Sequence, residues 1–213
     1  MQKLELATTR NLLCLGAHAD DIEVGCGGTL LRLLDEKKDL SICWVVFSAR
    51  DARAEEARAS AEAMIGRTAS KEIIVRSYRD GFFPGRWSEI KTDLHEIAER
   101  FSPDLIFAPR LEDRHQDHRV LAELAWNAFR DHLILEYEIP KYEGDLGSPN
   151  FFVPLTEEAC RRKVRSVIDG FPSQREKRWF TDDTFWALLR LRGVESNSPT
   201  RFAEGFTCRK MVV

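Results

Sequence analysis

The chain has 213 residues, of which 43% are hydrophobic, which is enough for one sizeable α/β core and short for two full domains. Its 32 basic and 35 acidic residues balance to a net charge of −3, so no strong field favours nucleic acid or anionic lipid as a partner. No apolar run approaches the roughly 20 residues that a membrane-spanning helix needs, so we expect no membrane span.

Buried strands alternate with helices from residue 11 to residue 137. Apolar runs of strand length lie at 11–17, 40–47, 72–75, 104–108 and 133–137. Segments with helical spacing lie between them, at 27–37, 53–65, 88–101 and 119–130. Strands that are apolar throughout, each followed by a helix, are typical of a parallel sheet covered on both faces. The sequence therefore predicts an α/β fold.

Beyond Glu138 the pattern changes to prolines and glycines, which predict a long loop over 138–150. Two more helices are predicted at 157–169 and 184–191, and a last strand at 206–213. The basic residues around 161–178 predict a solvated helix face, with a phosphate contact as the alternative. We expect residues 1–213 to form one domain, in which 139–213 is an extension that carries a candidate substrate loop.

The cysteines indicate a reducing compartment. They are five in number and include no Cys-x-x-Cys pair, which favours reduced, small hydrophobic side chains over a disulfide set or a zinc ribbon. Residues 1–10 lack a basic segment followed by an apolar one, so no secretory leader is expected. Together these features predict a cytoplasmic protein.

Two dense polar clusters follow predicted strands. His18-Ala19-Asp20-Asp21 comes directly after the first strand, and Glu112 to His118 (EDRHQDH) follows the strand that ends near Ala108. Sites in an open parallel sheet form where strands end at their carboxyl edges. A lone histidine there is more often a satisfied polar residue, and a lone aspartate often caps the next helix. Two such clusters at two strand ends are harder to explain as caps.

These residue types suit a catalytic zinc, which needs about three protein ligands and one open position for water. His18 and Asp21 are three residues apart, so both can face one ion from a tight turn, and one histidine of the second cluster completes the set. Metal lowers the pKa of water from about 15.7 to about 7, and the leftover Asp20 is positioned to take its proton. Ligand type does not separate zinc from Fe(II) or Co(II).

The glycines after the first cluster raise the alternative of a dinucleotide-binding loop. Gly25, Gly27 and Gly28 do not complete the G-x-G-x-x-G fingerprint, because Leu30 occupies the third position. We reject this alternative and expect close backbone packing around a metal loop at these glycines.

The first cluster and the residues after it, HADDIEVGCGGTL at 18–30, resemble the A-H-P-D-D-E…G-C-G-G-T-L signature of the LmbE-like, PIG-L-type zinc de-N-acetylases. His115-Gln116-Asp117-His118 resembles the second signature of that family, H-P-D-H. The resemblance spans most of residues 11–130 and implies a Rossmann-like, mostly parallel sheet with helices on both faces. Ala19 and Gln116 stand where the family usually has proline. Without proline the unfolded chain has more conformational entropy, which lowers the stability of the fold by about 0.4–1 kcal/mol at each position.

The resemblance implies a role for each matching residue. His18, Asp21 and His118 are implied as ligands of one Zn²⁺ per chain, and Asp20 as the general base.

Four further residues receive roles only from the resemblance. His115 is implied to stabilise the tetrahedral intermediate or to protonate the amine, and Asp117 to orient His115. Arg53 and Asp80 are weaker matches to residues that contact the sugar, and a surface salt bridge or a turn role is an equally good interpretation of both.

The resulting hypothesis is a hydrolase that removes an N-acetyl group by metal-activated water. Its implied partner is a small N-acetylated sugar, a sugar conjugate or a natural-product intermediate, and a homo-oligomer is left open. Two alternatives stand beside it. One is a metal-dependent hydrolase of another class, such as a phosphoesterase, which would use more carboxylates and two ions. The other is a sugar-binding relative without catalysis.

Overall fold

The computed structural model describes Leu6 and residues 8–212, which contain seven strands and six α-helices. The strands are β1 (Asn11–His18), β2 (Ser41–Ser48), β3 (Ser70–Val75), β4 (Leu105–Pro109), β5 (Leu133–Tyr137), β6 (Phe151–Leu155) and β7 (Phe202–Cys208). The helices are α1 (Asp21–Glu36), α2 (Ala52–Ile65), α3 (Trp87–Arg100), α4 (Gln116–Ala128), α5 (Glu157–Gly170) and α6 (Asp182–Glu195). Short 3₁₀ turns lie at Phe83–Arg86 and Pro172–Gln174.

All seven strands form one sheet in the order β3-β2-β1-β4-β5-β7-β6. The first five are parallel, and Leu12 of β1 pairs with Ile42 on one side and Leu105 on the other. β7 runs antiparallel to both β5 and β6. The predicted α/β fold with a mostly parallel sheet is confirmed, and the extension beyond residue 139 adds its antiparallel edge.

Helices cover both faces of the sheet. Alternate residues of β1 point to opposite faces, so Leu12 packs on one side with α1, α2, α5 and α6, while Leu13 packs on the other with α3 and α4. This burial on both sides explains why the parallel strands are apolar throughout.

Three element predictions differ from the structure. α1 begins at Asp21, six residues before the predicted start at residue 27, so the glycines lie within a helix and not in a loop. β6 was not predicted, because Pro154 interrupts its pattern; proline is tolerated there since β6 is an edge strand. The last strand is Phe202–Cys208 instead of 206–213, of which Val213 lies outside the described residues.

The last strand begins earlier than predicted, over residues that include a buried charge. Glu204 of β7 is 4% exposed and pairs with Lys163 of α5 at 2.5 Å. Its carboxylate also accepts the backbone N–H groups of Gly28 and Thr29 in α1. The interpretation of Lys163 as part of a solvated face was therefore wrong, because this buried network joins α1, α5 and β7.

The described part of the chain has no helix that is both long and apolar enough to cross a lipid bilayer. The five cysteines carry free thiols, and four of them are buried.

We expect opposite stability effects from alanine at two glycines of α1. A Cβ at Gly25 would lie 2.2 Å from the ring of Tyr137, whose hydroxyl donates to the Leu15 carbonyl, whereas a Cβ at Gly27 meets ordinary contacts at 3.5 Å or more. Gly25→Ala should cost about 1–3 kcal/mol through overpacking. Gly27→Ala should gain about 0.5–1 kcal/mol from helix propensity. Urea denaturation measures both, and a stabilised Gly25→Ala would contradict the packing shown here.

Candidate metal centre

The topology of the sheet explains why the two polar clusters meet. β1 has β2 on one side and β4 on the other, so the strand order reverses beside it, and the crevice at such a point lies outside the carboxyl ends of the strands. His18 is the last residue of β1, and the loop after β4 leads to His118 in the first turn of α4. Residues 100 positions apart in the chain thereby share one crevice.

Three donor atoms converge in this crevice. His18 Nδ1 lies 3.1 Å from His118 Nε2, and Asp21 Oδ2 lies 3.5 Å from the first nitrogen and 3.3 Å from the second. Ligands at the Zn–N and Zn–O distances of about 2.0–2.1 Å are roughly 3.3–3.4 Å apart at the corners of a tetrahedron. The spacing of the three atoms therefore fits one face of a zinc coordination tetrahedron.

In each imidazole one nitrogen is a candidate metal donor (the inner nitrogen) and the other faces away from the three donors (the outer nitrogen). Carboxylates bind the outer nitrogens of both imidazoles. His118 Nδ1 is 2.9 Å from Asp113 Oδ2, and His18 Nε2 is 3.0 Å from Asp80 Oδ1 and 3.3 Å from Asp117 Oδ2. A proton on each outer nitrogen leaves the lone pair of the inner nitrogen directed at the crevice, an arrangement that is typical of metal-binding histidines.

Sequence reasoning missed Asp113. Its signal was the position within EDRHQDH, five residues before the candidate ligand His118.

The same side chains offer two wider groupings, in which ligand atoms lie within 4.8 Å of one another: His18 with His115 and His118, and His18 with Asp80, His115 and Asp117. We prefer the set with Asp21, because that carboxylate is buried between both imidazoles. Asp80 is largely exposed, and the oxygens of Asp117 already accept the backbone N–H groups of Gly81 and Phe83.

The charges of the centre are strongly coupled. Burial lowers the pKa of His118, but the negative charges of Asp21 and Asp113 outweigh it and raise this pKa to about 9. Burial also lowers the pKa of His18, but the interactions with Asp21 and Asp117 outweigh it and raise this pKa well above its usual value. The buried Asp21 carboxylate has its pKa held well below the usual range by the two imidazoles. The pocket thus favours positive charge around Asp21, which protons or a metal cation can supply.

Asp20, the candidate base, directly precedes Asp21 at the N-terminus of α1 and is 6% exposed. Arg53 Nη2 donates to its Oδ1 at 2.7 Å. Arg53 and Asp20 therefore form a partly buried ion pair, which corresponds to the salt bridge that the sequence left open for Arg53 beside a contact with the sugar.

The side chain of Asp117 makes different contacts from those that the resemblance implied. Its carboxylate binds Gly81, Phe83 and His18, and no hydrogen bond from it to the His115 ring is found among the described residues. The Asp117 side chain therefore orients His18 and the loop that carries Asp80, in place of His115.

His115 presents a donor to the crevice. Its ring centroid lies 4.8 Å from that of His18 and 4.9 Å from that of His118. Its Nδ1 accepts the backbone N–H of Asp117 at 3.3 Å, so the ring proton resides on Nε2. Burial lowers the pKa of His115, and the neighbouring imidazoles lower it further. His115 is thus a neutral imidazole with an N–H to donate.

Comparison with known proteins bears on this site. Residues 13–129 match the family model described as GlcNAc-PI de-N-acetylase, PIG-L. A curated relative, the uncharacterized deacetylase YaiS of Escherichia coli strain K12, is 30% identical over 144 residues, which cover 62% of this chain and 75% of the relative.

Two of the solved structures that share the fold illustrate its range. N,N'-diacetylchitobiose deacetylase from Pyrococcus horikoshii superimposes with a TM-score of 0.73 at 21% identity, over 95% of this chain and 84% of its own. GalB, the 4-carboxy-2-hydroxymuconate hydratase of Pseudomonas putida KT2440, superimposes with a TM-score of 0.74 at 16% identity, over 96% of this chain and 98% of its own. Since one is named a deacetylase and the other a hydratase, the fold alone does not determine the reaction.

Zinc affinity tests the role of Asp21. Asp21→Asn removes the anionic ligand, and we expect the dissociation constant for zinc to rise about a hundredfold, measured by competition with a chromophoric chelator. Glu23→Gln is the matched control on the same helix. Burial raises the pKa of Glu23 to about 8, so this residue is neutral at pH 7 and the amide replaces it without a change of charge. Equal zinc affinity in both variants would contradict the ligand assignment.

Proposed function

We propose that this chain, which belongs to the GlcNAc-PI de-N-acetylase (PIG-L) family, is a zinc-dependent hydrolase that removes the acetyl group from an N-acetylated amino sugar or a related small molecule. The observation that carries the proposal is the convergence of His18 Nδ1, Asp21 Oδ2 and His118 Nε2 within 3.5 Å, with both outer imidazole nitrogens held by carboxylates.

The metal would be held by His18, Asp21 and His118. When bound, it supplies Lewis acidity, which polarises an acyl carbonyl and lowers the pKa of water. Iron(II) and cobalt(II) accept the same donors, so the native metal is decided by measurement.

Asp20 is the base in this proposal. Because Arg53 occupies its Oδ1, Oδ2 is the oxygen that takes a proton from the attacking water. The carboxyl group then returns that proton to the leaving nitrogen as the C–N bond breaks, which releases acetate and a free amine. The ion pair with Arg53 restricts rotation of Asp20 and leaves Oδ2 as the oxygen that the guanidinium does not bind.

His115 stabilises the oxyanion of the tetrahedral intermediate. The proton on Nε2 donates a hydrogen bond to the negative oxygen, and a neutral ring suits this task because it donates without first changing protonation state. Asp117 supports the site through His18 and through the loop at Gly81, which places Asp80 at the entrance.

The substrate class is inferred from the family description and from the acetylated sugar in the name of one structural neighbour. Asp80 is the polar side chain best placed to meet a sugar hydroxyl, since it is largely exposed and adjoins His18. Arg53 is the second candidate contact, because it borders the crevice from α2.

A phosphoesterase with two ions is less well supported. The second grouping of possible ligands shares both His18 and His115 with the first, so the two sets compete for the same two imidazoles. A metal content of one ion per chain is therefore expected.

The role of Asp20 separates an enzyme from a binding protein. Asp20→Asn keeps the three metal ligands and removes the proton acceptor, so we expect turnover to fall about a hundredfold or more with zinc content unchanged. Asp35→Asn, at the exposed end of the same helix, serves as the control and should keep full turnover. An Asp20→Asn protein with wild-type turnover would exclude the proposed mechanism.

Acetate release from a panel of N-acetylated sugars tests the reaction itself. We expect release from at least one member, loss of release on treatment with a chelator, and recovery with one equivalent of zinc per chain. No acetate from any member, in a protein shown to hold zinc, would leave the deacetylase proposal without support.

A further inference from the structure

The loop between β5 and β6 is fastened to the body of the protein at several points. Arg192 of α6 binds both carboxylate oxygens of Glu138 at 2.6 and 2.7 Å and also donates to the Gly147 carbonyl. Arg110, which follows β4, donates to the Asp145 carbonyl at 2.7 Å. These contacts hold the start, the middle and the end of the segment, so it lacks the freedom of a lid that closes over substrate.

Two oppositely charged side chains of this loop are buried against the second polar cluster. The side chains of Lys141 and Asp145 are 9% and 5% exposed, and Lys141 Nζ lies 2.7 Å from Asp145 Oδ1. The same Nζ lies 2.8 Å from Oδ2 of Asp113, which is 2% exposed. Lys141 is therefore the cation between two buried carboxylates.

Asp113 connects this cation to the metal centre. Its Oδ2 contacts both Lys141 and His118 Nδ1, and its Oδ1 accepts the backbone N–H of His115 at 2.8 Å. A continuous path of charge-assisted hydrogen bonds thus runs from the loop to the imidazole whose other nitrogen faces Asp21.

We propose that Lys141 is a positioning residue for the metal centre, which acts through Asp113 to hold the outer nitrogen of His118, so that the loop serves as a brace for the metal ligand. The inference rests on the proposed metal site, because it requires His118 to be a ligand. It adds a residue that is 23 positions beyond the second cluster and that neither cluster contains.

The physical reason is the balance of buried charge. Without Lys141, the carboxylates of Asp113 and Asp145 would face each other in a dry environment with no cation between them. Repulsion would displace Asp113, and His118 would lose the acceptor that fixes its proton on Nδ1. Loss of a carboxylate that supports a metal-binding histidine typically weakens metal binding tenfold to about a hundredfold.

Lys141→Met tests the inference, because it keeps the length of the side chain and removes the charge. We expect the dissociation constant for zinc to rise about tenfold, measured on metal-free protein by chelator competition. We also expect the visible spectrum of the cobalt-substituted protein to change, since the orientation of one imidazole changes.

Glu138→Gln is the matched control, because it weakens the anchoring of the same loop by Arg192 without touching Asp113. It should lower the melting temperature and leave zinc affinity within about twofold of wild type. If Lys141→Met lowers the melting temperature in the same way with unchanged zinc affinity and cobalt spectrum, Lys141 is only a structural anchor and the inference is overturned.

Asp113→Asn provides a second test should Lys141→Met fail to fold. It should weaken zinc binding by about tenfold or more, and unchanged affinity would break the path at its centre. The same measurement separates this inference from the proposed function. If the wild-type protein binds no zinc, both proposals are contradicted. If the wild-type protein binds zinc and the variants bind it with equal affinity, only this inference is contradicted.

Discussion

Three donors packed within 3.5 Å of one another in a nearly dry crevice are the constraint on which the rest of the site depends. Two imidazole lone pairs and a carboxylate at this distance repel one another unless a proton or a metal cation lies between them. The raised pKa of His118 has the same origin, because the neighbouring carboxylates favour a positive charge at this position. Asp113 and Asp117 hold the two imidazoles in this arrangement, because each binds the outer nitrogen of one ring and so directs the inner nitrogen towards the crevice.

The last third of the chain contributes structure to a site that it does not form. Lys163 and Glu204 join α5 and β7 to the helix that begins at Asp21, and Arg192 fastens the loop that carries Lys141. These pairs are buried and rich in hydrogen bonds, so removing one partner would leave an uncompensated charge. The extension thus supports from behind the two segments that carry the candidate ligands.

The fold is shared by proteins that are named for different reactions, a deacetylase and a hydratase, so the sheet is a scaffold and the chemistry resides in the crevice. The arrangement around Asp20 fits the proposed hydrolysis: a buried carboxylate, paired with Arg53, directly precedes Asp21 in the chain, and His115 offers a neutral imidazole N–H. These groups match the two needs of amide hydrolysis, which are a proton acceptor for water and a donor for the oxyanion.

By itself the sequence determined the parallel sheet and the positions of the two polar clusters at strand ends, and its resemblance to the family implied His18, Asp21 and His118 as the candidate ligands. Apolar periodicity encodes the strands and helices, and adjacent parallel strands bring their carboxyl ends to one edge. Only the tertiary structure decided which charges meet: Arg53 with Asp20, Asp117 with His18, and Lys141 with Asp113. Such pairings join residues 28 to 99 positions apart, and they depend on how helices and loops pack over the sheet, which no local pattern records.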